Sequence, residues 1–221
     1  MSPARPPIKE YVAPYAAFMA VIFAVGFVPA AFKAWSYLAQ IILCGWLVIR
    51  YWRVYQFQFP KGIGFTLFTA ILVLVIWVSP QVVFKRPPRL DGFDPTVFKG
   101  QPALYWAVLV VRFTRLTVIT GFIEEIFWRG FLVRYLVCYP EREDFESVPM
   151  GTFTWLSFGI VSAAFCLEHQ FADYPAALLT GVLFNLLYYR TRSLSACVLC
   201  HAVANFLLGI YIMRSGQWGF W

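Results

Sequence analysis

Charge is scarce in this sequence, and acidic charge most of all: 221 residues include 11 Asp and Glu against 18 Lys and Arg. A soluble domain carries about 25% charged residues, whereas here the share is 13%, with 61% hydrophobic and 20% aromatic. Water is therefore not the main solvent of the chain. No basic face with interleaved aromatics stands apart from the apolar segments, so the net charge of +7 does not mark a nucleic-acid surface. Basic residues instead flank those segments, at Arg50/Arg53, Lys85/Arg86/Arg89 and Arg190/Arg192, where headgroups favour them. There is no Gly-rich phosphate loop, Walker motif, G-x-S-x-G elbow or H-E-x-x-H pair. Ser193 and Ser195 have no Ser–Lys or Ser–His spacing to mark a nucleophile. The five cysteines, Cys44, Cys138, Cys166, Cys197 and Cys200, lie in or beside apolar runs and read as reduced packing residues, not as a secreted disulfide framework.

Long uncharged runs take the place of charge. Tyr11–Phe32 and Ile63–Phe84 are 22 residues each and Leu194–Met213 is 20. A bilayer core of about 30 Å needs about 20 apolar helical residues, so each can span. Ala34–Ile49 (16), Gly151–Leu167 (17) and Tyr174–Tyr189 (16) are shorter and read as spans extended by polar ends or tucked inside a bundle. Alternating strands of about 10 residues are absent, which excludes a barrel. The first run is too long for a signal peptide, contains Pro14 and Pro29, and reads as a retained span.

Ala103–Val137 is the ambiguous segment. One straight helix of that length would measure about 50 Å, and Arg112 and Arg115 interrupt its first half. That half is expected to be an interfacial helix, an extension of the next span, or a separate short span. The expectation is thus an all-α polytopic bundle of seven or eight spans forming one membrane domain, 1–221. Met1–Glu10 is expected to be a flexible Pro-rich end, and Lys85–Gly100 and Pro140–Pro149 solvated connections. Orientation is weakly encoded. A cytoplasmic N-terminus puts Arg5/Lys9, Arg50/Arg53/Lys61, Arg134/Arg142 and Arg190/Arg192 inside, but leaves Lys85, Arg86, Arg89 and Lys99 outside.

Ionisable side chains inside a span cost about 2.5–3.5 kcal/mol each on the lenient scales, so they are candidates for function. Glu124 and Glu125 stand side by side, with Arg129 four residues after Glu125. His169 ends the Gly151–Leu167 run, and His201 lies inside the last run, followed by Asn205; these are the only two histidines. Residues at i and i+4 share a helical face. Glu125 can therefore pair with Arg129, while Glu124 points about 100° away and is left as a candidate general base. Phe165 with His169 and His201 with Asn205 have the same spacing, and Glu168 falls at a different helical angle from His169.

The ordered set Glu124-Glu125-Ile-Phe-Trp-Arg129, Phe165-Cys-Leu-Glu-His169 and His201-Ala-Val-Ala-Asn205 resembles the EExxxR, FxxxH and HxxxN signature of the CPBP intramembrane proteases, the CAAX prenyl protease and bacteriocin-processing family. The resemblance covers about Thr117–Met213. Within the family the chain most resembles a bacterial branch linked to exosortase-type sorting. The resemblance implies a cavity within the bundle in which Glu124 and His169 activate water. It gives His201 and Asn205 to the oxyanion, and Glu125, Arg129 and Phe165 supporting places. It implies no metal or cofactor, and a bacterial inner membrane as location. The substrate would be a membrane-associated protein or peptide, lipidated or not.

Three other readings stay open. Glu124, His169 and His201 could form a zinc site. Cys197-Val-Leu-Cys200-His201 matches the haem-attachment pattern C-x-x-C-H. The chain could also be a non-catalytic scaffold or immunity protein. The oligomeric state is not encoded.

Overall fold

The computed structural model describes residues 6–28, 32–139 and 144–221. Arg5, Pro29 and Arg142 lie outside the described residues. The described chain is helical and contains no strand. Seven main helices follow in order: α1 (Ile8–Val25), α2 (Lys33–Arg50), α3 (Ile63–Val82), α4 (Pro102–Cys138), α5 (Trp155–Leu167), α6 (Tyr174–Thr191) and α7 (Leu194–Ser215). α1, α3, α4, α7 and the stretch Phe171–Thr191 that contains α6 are long and apolar enough to cross a membrane; α2 and α5 are shorter apolar helices. α1 begins inside the polar N-terminal stretch, whose Glu10 carbonyl accepts a 2.8 Å hydrogen bond from Tyr55.

Ala103–Val137 does not divide. Pro102–Cys138 is one 37-residue helix, with Pro102 in the first turn, where its missing N–H costs nothing. Its regularity is relaxed instead of broken, because Thr114–Ile119 and Ile126–Leu132 are wound as π-helix, with Thr120 N–H bonding Arg115 O and Val133 N–H bonding Trp128 O. Each wide turn rotates the residues C-terminal to it, so these two stretches set the direction of the side chains between them. Glu124 and Glu125 lie there.

The local signals of the other ends are legible. Thr154 and Ser193 cap α5 and α7 by accepting from Ser157 N (3.1 Å) and Ala196 N (3.2 Å). Gly216 closes α7 in the left-handed conformation at φ 68°. Consecutive helices run antiparallel. Tyr11 at the start of α1 donates to Val54 O beyond α2, and Gln58 N reaches Ser195 Oγ at the start of α7. At the other end, the α3–α4 connection meets the far side of α7, with Arg89 N donating to Gln217 Oε1 and Gly219 N to Arg89 O.

α4 packs between two apolar clusters. Ile123, Ile126 and Phe131 join Tyr11, Phe18, Cys44 and Phe145, while Trp128 and Val133 join Phe165, Phe184, Leu187 and Cys197. Phe68 and Ile71 on α3, Trp106 on α4 and Trp155 on α5 are exposed, as lipid-facing positions are. Between helices in lipid the hydrophobic effect largely cancels, so close packing and polar contacts carry the association. Gly121 serves that end: a Cβ there would stand 3.4 Å from Ala202 N, so α4 meets the backbone of α7 directly.

Lys85–Gly100 is mostly exposed, as expected of a solvated connection, whereas the described part of the second connection packs onto the bundle. Phe145 is buried against Tyr11 and Phe131, and buried Arg134 donates to the carbonyls of Val148 and Glu146. The carbonyls need a donor because the segment folds back onto the bundle. Arg89 forms a two-pronged ion pair with Asp173 at 2.7 and 3.0 Å.

Candidate active site

Glu125 is wholly buried, and its Oε1 accepts both from Arg129 Nη1 at 3.1 Å and from His201 Nδ1 at 2.9 Å. Arg129, also wholly buried, is satisfied further by Asn185 Oδ1 through Nε (3.2 Å) and the Gly181 carbonyl through Nη2 (3.3 Å). Its guanidinium carbon lies 5.2 and 5.3 Å from the ring centres of Phe165 and Phe184. Asn185 is itself held by Ser162 Oγ at 3.0 Å. One ion pair on α4 thus ties α6 and α7 to it and, through Ser162, α5. Gly181 allows the close approach: a Cβ there would sit 3.2 Å from the Phe165 ring, which would have to shift by a few tenths of an ångström.

Glu124 faces the other way, as its helical angle demands, into a cavity of about 380 Å³. His169, His201, Asn205, Glu168, Arg115 and Thr180 line the same cavity. His201 spans both carboxylates, with Nδ1 on Glu125 and Nε2 3.9 Å from Glu124 Oε2. Because a carboxylate only accepts, Nδ1 carries the proton. His169 Nδ1 is 2.8 Å from the Phe165 carbonyl, which likewise fixes the proton on Nδ1 and leaves Nε2 with a lone pair. Its ring packs 5.0 Å from Phe165 and 5.5 Å from Trp77. Asn205 Nδ2 donates to the Leu116 carbonyl at 2.8 Å, within the first π-helical stretch, and keeps a second N–H.

The structure therefore brings Glu124, His169, His201 and Asn205 to one chamber, with Phe165 in its wall and Glu125 and Arg129 directly behind it. The Phe165–His169 contact is not two neighbours on a helical face: α5 stops at Leu167, and His169 turns back onto the carbonyl. For the same reason the helical angle assigned to Glu168 does not apply. It lines the chamber, where the Tyr15 hydroxyl donates to its Oε2. Asn185, Ser162, Gly181, Thr180 and Trp77 were missed by the sequence reading. Asn185 was the findable one, being an amide inside an apolar run.

Among the described residues, no three His, Cys, Asp or Glu side chains converge in a geometry able to hold a metal ion. Cys197 and Cys200 are fully buried in the apolar cluster with Phe184 and Leu187, where a porphyrin edge has no access.

Apolar helices enclosing a chamber of carboxylates, imidazoles and an amide define an integral membrane protein with a polar internal site. Residues 105–207 match the family model described as Rce1-like, type II CAAX prenyl endopeptidase, and over that stretch the chain is similar to this family of peptide hydrolases. Neither the curated proteins nor the solved structures contain a match to the chain.

Proposed function

We propose that the chain is a glutamate-dependent intramembrane endopeptidase that cleaves a membrane-associated protein or peptide, its seven helices all crossing the inner membrane of a bacterium. The observation that carries this reading is the convergence of Glu124, His169, His201 and Asn205, from α4, the end of α5 and α7, on one cavity.

In this mechanism a water held between Glu124 and Nε2 of His169 loses its proton to Glu124 and attacks the scissile carbonyl carbon. The carbonyl oxygen takes up the electron pair and accepts hydrogen bonds from the spare N–H of Asn205 and from His201. Since Nδ1 of His201 is committed to Glu125, Nε2 donates only while the ring carries both protons, and Glu125 is the adjacent counter-charge for that state. Collapse of the tetrahedral adduct breaks the C–N bond as Glu124 returns its proton to the leaving nitrogen. Glu125 and Arg129 take no part in proton transfer; they hold the His201 ring and join the helices.

The test compares the membrane-protein termini of cells carrying the native chain with those carrying Glu124→Gln. Uncut precursors restricted to the variant are expected, and their sequences give the substrate. Unchanged cleavage of an identified substrate by the Glu124→Gln variant would overturn Glu124 as the base, and termini that are the same with the native chain, with the variant and without the chain would leave a scaffold role. Full loss of activity on chelation, restored by zinc, would favour a metal mechanism.

A further inference from the structure

Arg115 is a second intramembrane cation, and the hydrolytic mechanism does not use it. It lies on the first π-helical stretch of α4 and lines the chamber together with Glu124 and Asn205. Its Nε donates to Gln40 Oε1 at 2.6 Å, and Gln40, fully buried, is oriented by its own Nε2 donating to the Phe18 carbonyl at 2.9 Å. The guanidinium carbon lies 4.8 Å from the Tyr37 ring centre and 5.7 Å from that of Phe18. The side chain is thus fixed at one edge and along its faces. Among the described residues neither terminal nitrogen has a hydrogen-bond or ion-pair partner. Arg112, whose guanidinium carbon is also 4.8 Å from the Tyr37 ring centre, adds positive charge nearby and has no carboxylate partner among the described residues either.

Glu124 lines the same chamber and acts on Arg115 only through space, so the open fork of the guanidinium has no hydrogen-bonded anion. Two free terminal nitrogens in one plane match the two oxygens of a carboxylate, and that pairing is stronger where water is excluded. A chamber of about 380 Å³ admits only a short piece of peptide, so an anion held there lies within a few residues of the scissile bond.

We propose that Arg115 anchors a carboxylate of the substrate, supplied by the chain end or by an acidic side chain, and so sets the cleavage position. This rests on the peptide-hydrolase reading, but its test does not require turnover. Glu124→Gln protein in nanodiscs is titrated with three fluorescein-labelled apolar tetrapeptides: one with a free C-terminal carboxylate, one with a C-terminal amide, and one amide bearing a glutamate side chain. One anionic peptide should bind at least about tenfold tighter than the plain amide, and which one does so identifies the source. Adding Arg115→Gln should bring the ratio close to one, and Arg115→Lys should leave an intermediate value. Gln40→Met keeps the cation but releases Nε, and should lower the ratio severalfold even if Arg115→Gln fails to fold. Equal affinity for all three peptides, including none measurable, overturns the proposal. So does a ratio that survives Arg115→Gln, which would make Arg115 only the counter-charge of Glu124. The glutamate-dependent mechanism fails separately, if Glu124→Gln protein still cleaves its substrate.

Discussion

Two adjacent carboxylates have opposite surroundings, and the difference predicts how each should respond to the same substitution. Glu124 faces the cavity, with no hydrogen bond from the protein among the described residues, so Glu124→Gln removes little that holds the fold. It should lower kcat about 10²–10⁴-fold, the range of general-base catalysis, with the thermal midpoint in detergent unchanged within a degree or two. Glu125→Gln removes the charge that balances a wholly buried Arg129. Breaking one side of a buried pair costs about 3–5 kcal/mol, so the midpoint should fall sharply while the surviving folded fraction keeps partial activity. If the two variants exchange these phenotypes, the assignment of base and support is reversed. Asn185→Leu should cost about 1–3 kcal/mol, because Arg129 Nε and Ser162 Oγ each lose a partner. The division between Glu124 and Glu125 was legible from helical angle alone. The part played by Asn185 was not, because it depends on which helix lies beside α4, and spacing within one segment carries no such information.

Helix α4 shows where periodicity stops being a guide. The sequence marks the first half of the segment as apolar with two arginines, Arg112 and Arg115, and a straight helix would put those two on one face. The π-helical turns at Thr114–Ile119 and Ile126–Leu132 depart from the 3.6-residue repeat, so phase read from one end of α4 is lost at the other. Only pairs close together, Glu125 with Arg129, keep their predicted relation. The ends of α5 and α7 were better marked, since Thr154 and Ser193 are capping residues directly before apolar runs. The crossing of α4 and α7 is held close by Gly121, and the geometry there suggests a graded test. At 3.4 Å from Ala202 N an added methyl just fits, so Gly121→Ala should retain most activity. Gly121→Leu must move α7 away, lengthening the Glu125–His201 hydrogen bond, and activity should fall at least about tenfold without loss of helical circular dichroism, as expected when a catalytic group shifts by about an ångström. Equal activity of the two variants would show that this crossing does not position His201.

For the whole molecule, the antiparallel order of the helices places the chamber toward one end of the bundle. Its wall includes Arg89, Asp173, Gln170 and Phe220, and all of these lie at the end where the α3–α4 and α5–α6 connections meet the residues after α7. The opposite end is closed by Tyr11, Tyr55, Phe131 and Phe145, with Tyr55 and Phe145 edge-on to Tyr11 and Phe145 edge-on to Phe131. Water and substrate should therefore enter from the Arg89 side, whichever membrane face that is. Three variants, each with one added cysteine, test this in sealed vesicles with a membrane-impermeant maleimide: Asp91→Cys reports the Arg89 end, Gln58→Cys the opposite end, and Leu116→Cys the chamber. The native cysteines are all buried, which keeps the background low. Leu116→Cys should be labelled only from the side that labels Asp91→Cys, more slowly because the Arg89–Asp173 pair and Phe220 narrow the mouth. Asp173→Asn should speed that labelling while changing stability by less than about 1 kcal/mol, since the pair is partly exposed. Labelling of Leu116→Cys from the Gln58 side would mean that the aromatic end opens, and that the route to Glu124 runs through α1 and α4 instead.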